Sequence, residues 1–448
     1  IKKSSAAALF EIKNNMNGKI YICVFFLKSQ GLIEAIKKEA LFLFSHLQKS
    51  EFKNKVELIS IEPDNFKCGT SENINCIAIS KFDSFIVETE PVLIHLFIPF
   101  LKTAFYFPNL FNFQVLITAS GGNPLFGINN EELEILEQAV DSGNLYIITQ
   151  SKYSSEKFFS DIFREVFLIY PPDLIEFPQK NSNKYLNKKI KIGFASSPFI
   201  KEDYIKRGIH IIKKIAAKHC GSMEFVILWR NSTLKFYSDS EIEAENIEIK
   251  CGVQDIKLFY ESIDILFVPY TDKDSTHSMP FSMLEAFKFG VPVICSENVA
   301  GASELLLMES IEVFNFDSDD FNKITEHVLE NKNKLTYNAL RFLEKYCNQK
   351  SYIKRYMNLY QIAGSQLPAL SLKIWRSECQ RSSQLLVKGI ENMKRYYENK
   401  KVTVEYSRQR FSKYPYNIIN QSEQTEVSKS IKKFITPIKN KIIIDLSS

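Results

Sequence analysis

Residues 267–304 read FVPYTDKDSTHSMPFSMLEAFKFGVPVICSENVAGASE, and this stretch decides the fold. An apolar strand ends at Pro269 and a loop of small polar residues follows. A helix then carries Glu285, Gly290-Val291-Pro292-Val293-Ile294 turns straight into another strand, and Gly301 with Glu304 opens the next helix. Strand, polar loop, helix, tight turn and strand is the rhythm of a parallel α/β sheet. It sets a carboxylate on a helix after a loop and several helix N-termini at one sheet edge, which suits phosphates and sugar hydroxyls. A plain α/β repeat with a solvated Glu285 is the other reading.

The alternation extends in both directions. Upstream, strands are expected at 191–195, 224–229, 247–250 and 265–269, with helices at 209–218 and 256–262. Downstream, helices at 281–289, 321–329, 338–346 and 352–362 flank a strand at 291–295 and close this second Rossmann-like unit. Before it, the run QKNSNKYLNKK (179–189) has no hydrophobic periodicity and reads as a linker. The first unit repeats the pattern. KIYICVFFL (19–27) is a near-continuous apolar strand, as both-face burial requires, and a helix follows at 31–48. Further strands are expected at 56–61, 85–88, 114–118 and 145–149, and a helix at 131–140. His95 is read as a satisfied core residue in an apolar helix.

The chain has 448 residues, enough for two or three domains, with 45% hydrophobic and 24% charged residues. That balance excludes wholesale disorder and small disulfide scaffolds. The longest apolar runs, such as 92–100, fall far short of a membrane-spanning helix. Eight scattered cysteines form no C-x-x-C pair, which points to thiols in a reducing cytoplasm and to no zinc site. The net charge of +5 hides an asymmetry: residues 365–448 carry +9 and leave −4 for the rest. Without aromatic stacking sets, this basic tail is read as solvated surface and no nucleic-acid partner is expected. Peripheral membrane contact is left open.

The 267–304 block resembles the donor-binding motif of the family 4 (group 1) glycosyltransferases, which usually read E-x7-E and then A-x-x-x-G-x-P-V-I. Glu285, Ala286, Gly290, Pro292, Val293 and Ile294 match it. Other segments follow in family order. FLIYPPDLIEF (167–177) resembles the strand, Pro-rich turn and D-x-x-x-F at the domain junction, and Lys206-Arg207-Gly208 resembles the K-G that opens a donor-domain helix. Lys250-Cys251-Gly252 and 255–263 resemble the segment beside the nucleotide base, and Asp264 its buried aspartate. Gly31 stands where the family has a glycine-rich loop, although a turn needing positive φ explains one glycine equally well.

The resemblance implies a GT-B fold, two Rossmann-like domains facing a cleft, with a mainly helical C-terminal extension. It places an acceptor domain at 1–178 and a donor domain at 179–364. It implies a glycosyltransferase acting with retention of anomeric configuration on a nucleotide-diphosphate sugar as donor substrate, without a fixed cofactor. No metal is expected. In the roles the resemblance implies, Arg207 and Lys206 neutralise the diphosphate and Glu285 accepts the ribose hydroxyls. His277 with Ser278 and Met279 faces the sugar, helix N-termini around Gly301 add donors, and Gly252, Pro280 and Phe281 complete the donor site; Glu285 and His277 are the candidate catalytic residues. The acceptor, whether glycan, lipid-linked, protein or small molecule, is left open.

Three departures stand against this. His277 replaces the first glutamate, so the motif is H-x7-E; Ser196-Ser197 stand where a second basic residue belongs; and Thr118-Ala119-Ser120-Gly121 replace the acceptor-domain histidine turn. They keep alive a catalytically degenerate GT-B module that binds or scaffolds, and behind it an epimerase or phosphorylase on the same fold. The turn at Gly121-Gly122-Asn123-Pro124 is read as a plain loop in preference to an acceptor border. In the tail, VTVEYSRQRF (402–411) and NKIIIDL (440–446) resemble the approach to a class I S-adenosylmethionine methyltransferase, which stops before its glycine loop. The alternative is a basic extension whose short strand packs on the second domain; in either case 442–444 is expected to be poorly ordered or docked on a neighbour.

Overall fold

The computed structural model describes residues 18–30, 35–66, 74–159, 165–175, 189–196, 201–229, 244–251, 256–274, 276–316, 320–365 and 442–445. The first half contributes seven strands: β1 (Ile20–Phe25), β2 (Val56–Glu62), β3 (Ile74–Ala78), β4 (Leu93–Ile98), β5 (Val115–Ala119), β6 (Leu145–Thr149) and β7 (Glu165–Leu168). Between them run α1 (Leu27–Gln30), α2 (Ala35–Leu47), α3 (Ile79–Thr89), α4 (Asn130–Asp141) and α5 (Lys152–Phe159). The second half builds β8 (Ile190–Ser196), β9 (Met223–Trp229), β10 (Ile247–Cys251), β11 (Ile265–Val268), β12 (Val293–Ser296) and β13 (Glu312–Phe314). Its helices are α6 (Lys201–Lys206), α7 (Ile209–Lys218), α8 (Ile256–Ser262), α9 (Phe281–Lys288), α10 (Ala302–Leu307), α11 (Phe321–Glu330), α12 (Lys332–Tyr346) and α13 (Gln349–Ser365). A last strand, β14 (Ile442–Asp445), lies in the tail.

Both sheets are parallel throughout. The first runs β14-β7-β6-β5-β4-β1-β2-β3 and the second β10-β9-β8-β11-β12-β13. In each, the connections reverse direction about one strand, so a crevice opens at the C-terminal ends of β1 and β4 in one sheet and of β8 and β11 in the other. The central strands β4 and β5 are buried at every position, because helices cover both faces.

Several expectations change. Residues 85–88 are not a strand: they end α3, where Ile79, Phe82 and Ile86 bury one helical face at three- and four-residue spacing. His95 sits in strand β4, not in a helix, because a short apolar run looks the same in either state. As a satisfied core residue it fits: fully buried, it meets Tyr360 Oη at 2.7 Å through Nδ1 and Thr118 Oγ1 at 2.8 Å through Nε2. The edge strand β3 carries too little apolar alternation to be seen in the sequence.

Helix α13 does not close the second domain. Tyr352, Tyr356 and Tyr360, spaced four apart, share a buried face within the core formed by β1, β2 and α2. Their hydroxyls reach Glu39 Oε1 (2.8 Å), Thr118 Oγ1 (2.8 Å) and His95. A tyrosine face needs polar partners inside the core, and Glu39 on α2, Thr118 on β5 and His95 on β4 supply them here. Strand β14 pairs with β7, so the tail strand docks on the first sheet and not on the second domain; the rest of 366–448 lies outside the described residues.

Replacing Tyr360 by Phe strands the buried His95 ring nitrogen. The Tyr360→Phe variant should lose about 1–3 kcal/mol in urea denaturation, and an unchanged midpoint and slope would show that this contact does not anchor α13.

Candidate functional site

The site begins at the crevice of the second sheet. Gly208 follows Lys206 and Arg207 with φ +76°, and a Cβ there would lie 1.8 Å from the Pro269 carbonyl oxygen. Only glycine lets the start of α7 pass this close to the end of β11. Arg207 is thereby held at the C-terminal edge, where its guanidinium donates to Ser196 Oγ at the tip of β8. The uncharged Ser196 thus serves as the arginine's anchor. Lys206 turns aside to Asp272, 3.8 Å away, while its carbonyl accepts the Thr271 N–H.

The loop from β11 to α9 brings His277 beside Arg207. Burial, with the Arg207 charge adding to it, lowers the imidazole to about 4, so His277 is neutral near pH 7. Its Nδ1 lies 3.3 Å from Ser120 Oγ of the first domain. His277 thus faces, across the cleft, the serine of the turn after β5. Ser278 is fully buried, and its N–H donates to the Ser120 carbonyl at 2.9 Å. That N–H is spent on the protein itself, although its Oγ has no hydrogen-bond partner. Met279 is buried, and Pro280 caps α9 ahead of Phe281.

Glu285 lies on the buried face of α9. Tyr260 Oη sits 2.8 Å from its Oε2 and 3.0 Å from the Ser282 carbonyl, so one hydroxyl ties α8 to the carboxylate and its helix. In the sequence Tyr260 falls within the 255–263 segment, but nothing there ties it to Glu285. Asp264 is half-buried rather than buried, and it accepts the Lys191 N–H at 2.9 Å at the base of β8. Gly252, Ser197 and Gly31 lie outside the described residues.

Two expected donor sites are taken. The Gly301 N–H, at the start of α10, donates to the Ser278 carbonyl at 2.9 Å. In the first domain, the buried Glu62 carboxylate accepts the N–H groups of Lys28 (2.7 Å) and Ser29 (3.2 Å) just after β1. An internal anion fills the place where a first βα turn would meet a phosphate.

Glu304 joins the halves. Its Oε2 accepts from the Lys152 N–H (3.1 Å) of the first domain and from Tyr170 Oη (2.6 Å) of the Pro-rich turn after β7, whereas Oε1 is buried without a partner. The same turn is pinned by Asp173, which pairs with Lys288 at 2.7 Å. Among the described residues no group of three or more His, Cys, Asp or Glu side chains is placed to hold a metal ion, and no helix is long and apolar enough to cross a membrane.

The comparisons follow this geometry. A sucrose-phosphate synthase from Thermosynechococcus elongatus aligns at TM-score 0.58 and 12% identity over 77% of this chain and 99% of its own. A glycosyltransferase from Rickettsia africae aligns at 0.55 and 11% over 78% and 99%. Anabaena HepE, solved in complex with UDP-glucose, aligns at 0.55 and 14% over 77% and 99%.

The fold is GT-B.

Within the GT-B chain, residues 190–331 match the family described as glycosyl transferases group 1, which spans the second sheet, Arg207, His277 and Glu285. No curated protein sequence matches the chain.

Burial raises the Glu304 carboxyl to about 7, from an ordinary value near 4.3. A raised carboxyl gives stability that is complete below about pH 4, is lost as pH rises to 7, and is level beyond. Glu304→Gln keeps an acceptor for Tyr170 and removes that loss. Urea denaturation at pH 5 and pH 8 should show wild type losing up to about 3 kcal/mol relative to the variant; equal responses would contradict the buried, singly satisfied carboxyl.

Proposed function

We propose that this chain is a nucleotide-sugar-dependent glycosyltransferase that holds its donor on the second domain and transfers the sugar with retention of configuration. The observation that carries this reading is Arg207, fixed by Ser196 and Gly208 at the C-terminal crevice of the second sheet with His277 beside it, inside the stretch that matches the group 1 glycosyl transferases.

The residues divide the work by their chemistry. The planar guanidinium of Arg207 takes the diphosphate bidentately and neutralises the charge that builds on it as the glycosidic bond breaks. Glu285, steadied by Tyr260, accepts the ribose hydroxyls. His277, neutral at working pH, offers one ring nitrogen to the sugar while the other meets Ser120. Lys206 contributes once it leaves Asp272. Around the sugar, Ser278 offers its unpartnered hydroxyl in place of its N–H, and Met279, Pro280 and Phe281 wall the pocket; Gly252 belongs to the base-side loop. UDP-glucose, the ligand in the HepE structure, is the first donor to try. A soluble cytoplasmic setting, a domain change within 179–189 and a methyltransferase-like tail complete the reading.

The second reading, a GT-B module that binds without turnover, draws on His277 itself. A neutral imidazole tied to Ser120 stands where the family pattern has a carboxylate.

Isothermal titration with UDP, GDP and ADP sugars should find one class bound at micromolar strength. Arg207→Ala and Glu285→Ala should each weaken that binding about 10- to 100-fold, the loss of one charge-assisted hydrogen-bonded contact. No binding by any donor overturns the transferase reading. Where a donor binds but does not turn over, His277→Glu decides: gained turnover marks a latent transferase, and continued inertness marks the binding module.

A further inference from the structure

The two domains are tied together at the place where a donor sugar would sit. Gly122 N–H donates to the Thr276 carbonyl at 2.7 Å, Asn123 N–H to the Asp274 carbonyl at 3.1 Å, and Ser278 N–H to the Ser120 carbonyl at 2.9 Å. Gly121 and His277 form an antiparallel bridge between them. The contact is shaped for closeness: a Cβ on Gly122 would lie 2.0 Å from the Lys273 carbonyl oxygen. Beside it, Lys273 Nζ sits 4.3 Å from the centre of the Tyr153 ring on α5.

The chain crosses between the domains elsewhere, and both crossings are tied to one another. Asp173 N–H, in the Pro-rich turn after β7, donates to the Cys347 carbonyl at 2.8 Å, and Gln349 Nε2 donates to the Asp173 carbonyl at 2.6 Å. Covalent connection is therefore gathered at one place, around Asp173 and the turn between α12 and α13. The Ser120–Asn123 contact is not covalent, and it is made by loops at the sheet ends. A paired pivot plus a separable loop contact is the layout of a hinged closure.

We propose that the pairing of residues 120–123 with 274–278 is a latch: it holds the cleft shut in the free protein, and a nucleoside diphosphate sugar is admitted only after it opens about the Asp173–Gln349 pivot. This rests on the transferase reading for the identity of the ligand. The latch spends the Ser278 N–H and the Thr276 carbonyl on the first domain and lies against His277, so a sugar that reaches the His277 ring must displace residues 120–123. Opening returns those main-chain groups for donor or acceptor.

Amide hydrogen exchange on the full, ligand-free chain reads the latch without any donor. The Gly122 and Ser278 amides should be protected in wild type. In Gly122→Ala they should exchange faster by about tenfold or more, with a larger radius of gyration in X-ray scattering and unchanged protection inside both sheets. Unprotected amides in wild type, or protection unchanged in Gly122→Ala, overturns the latch. If Gly122→Ala fails to fold, the double variant Asn123→Cys/Asp274→Cys takes its place, since these two side chains already meet across the cleft. Oxidised, it should bind UDP-glucose or the donor found by titration at least about tenfold more slowly than when reduced; equal rates overturn the latch. If neither form binds any donor, the transferase reading fails, and the exchange of the wild-type amides alone decides the latch.

Discussion

The main-chain pairing of Ser120–Asn123 with Asp274–Ser278 is the contact on which the site's geometry depends. Each parallel sheet alone offers only a half-crevice at its C-terminal edge, where loops and helix N-termini gather. Facing the edges makes one cleft from two, and the pairing sets how far apart they stand. It places Ser120 opposite His277 and draws Glu304 onto the first domain. The tyrosine face of α13 fixes the other side of the arrangement, because that helix follows the second domain in the chain and packs in the core of the first.

Charge in the cleft is unevenly placed, and the unevenness has a chemical sense. In the first domain, Glu62 already accepts the N–H groups of Lys28 and Ser29 just after β1. In the second, Arg207 is held by a neutral hydroxyl, so its charge is not cancelled by its anchor. The same charge, added to burial, keeps His277 unprotonated.

The sequence carried the second sheet well. Five of its six strands read as short apolar runs, β13 being missed, and the Gly290-Val291-Pro292 turn falls between α9 and β12 as expected. Residues 85–88 and 92–98 misled because four to seven apolar residues do not distinguish a buried strand from a buried helix; the partners Ile79 and Phe82 settle the first. For the site, Arg207, His277 and Glu285 were legible as residue types at set spacing. Their partners were not. Ser196 to Arg207, Tyr260 to Glu285 and Ser120 to His277 are contacts between elements, and the last spans 157 positions of sequence. Helix α13 was misplaced for the same reason, since nothing local says which core a tyrosine stripe enters.

A crystal structure with a bound nucleoside diphosphate, tried as UDP, GDP and ADP, tests the central claim most directly. The account predicts the nucleotide on the second domain, with ribose hydroxyls on the Glu285 carboxylate, the diphosphate on Arg207, and residues 120–123 drawn away from Thr276 and Ser278. A nucleotide seated anywhere else, or a sealed and empty cleft at saturating concentrations of all three, would contradict it.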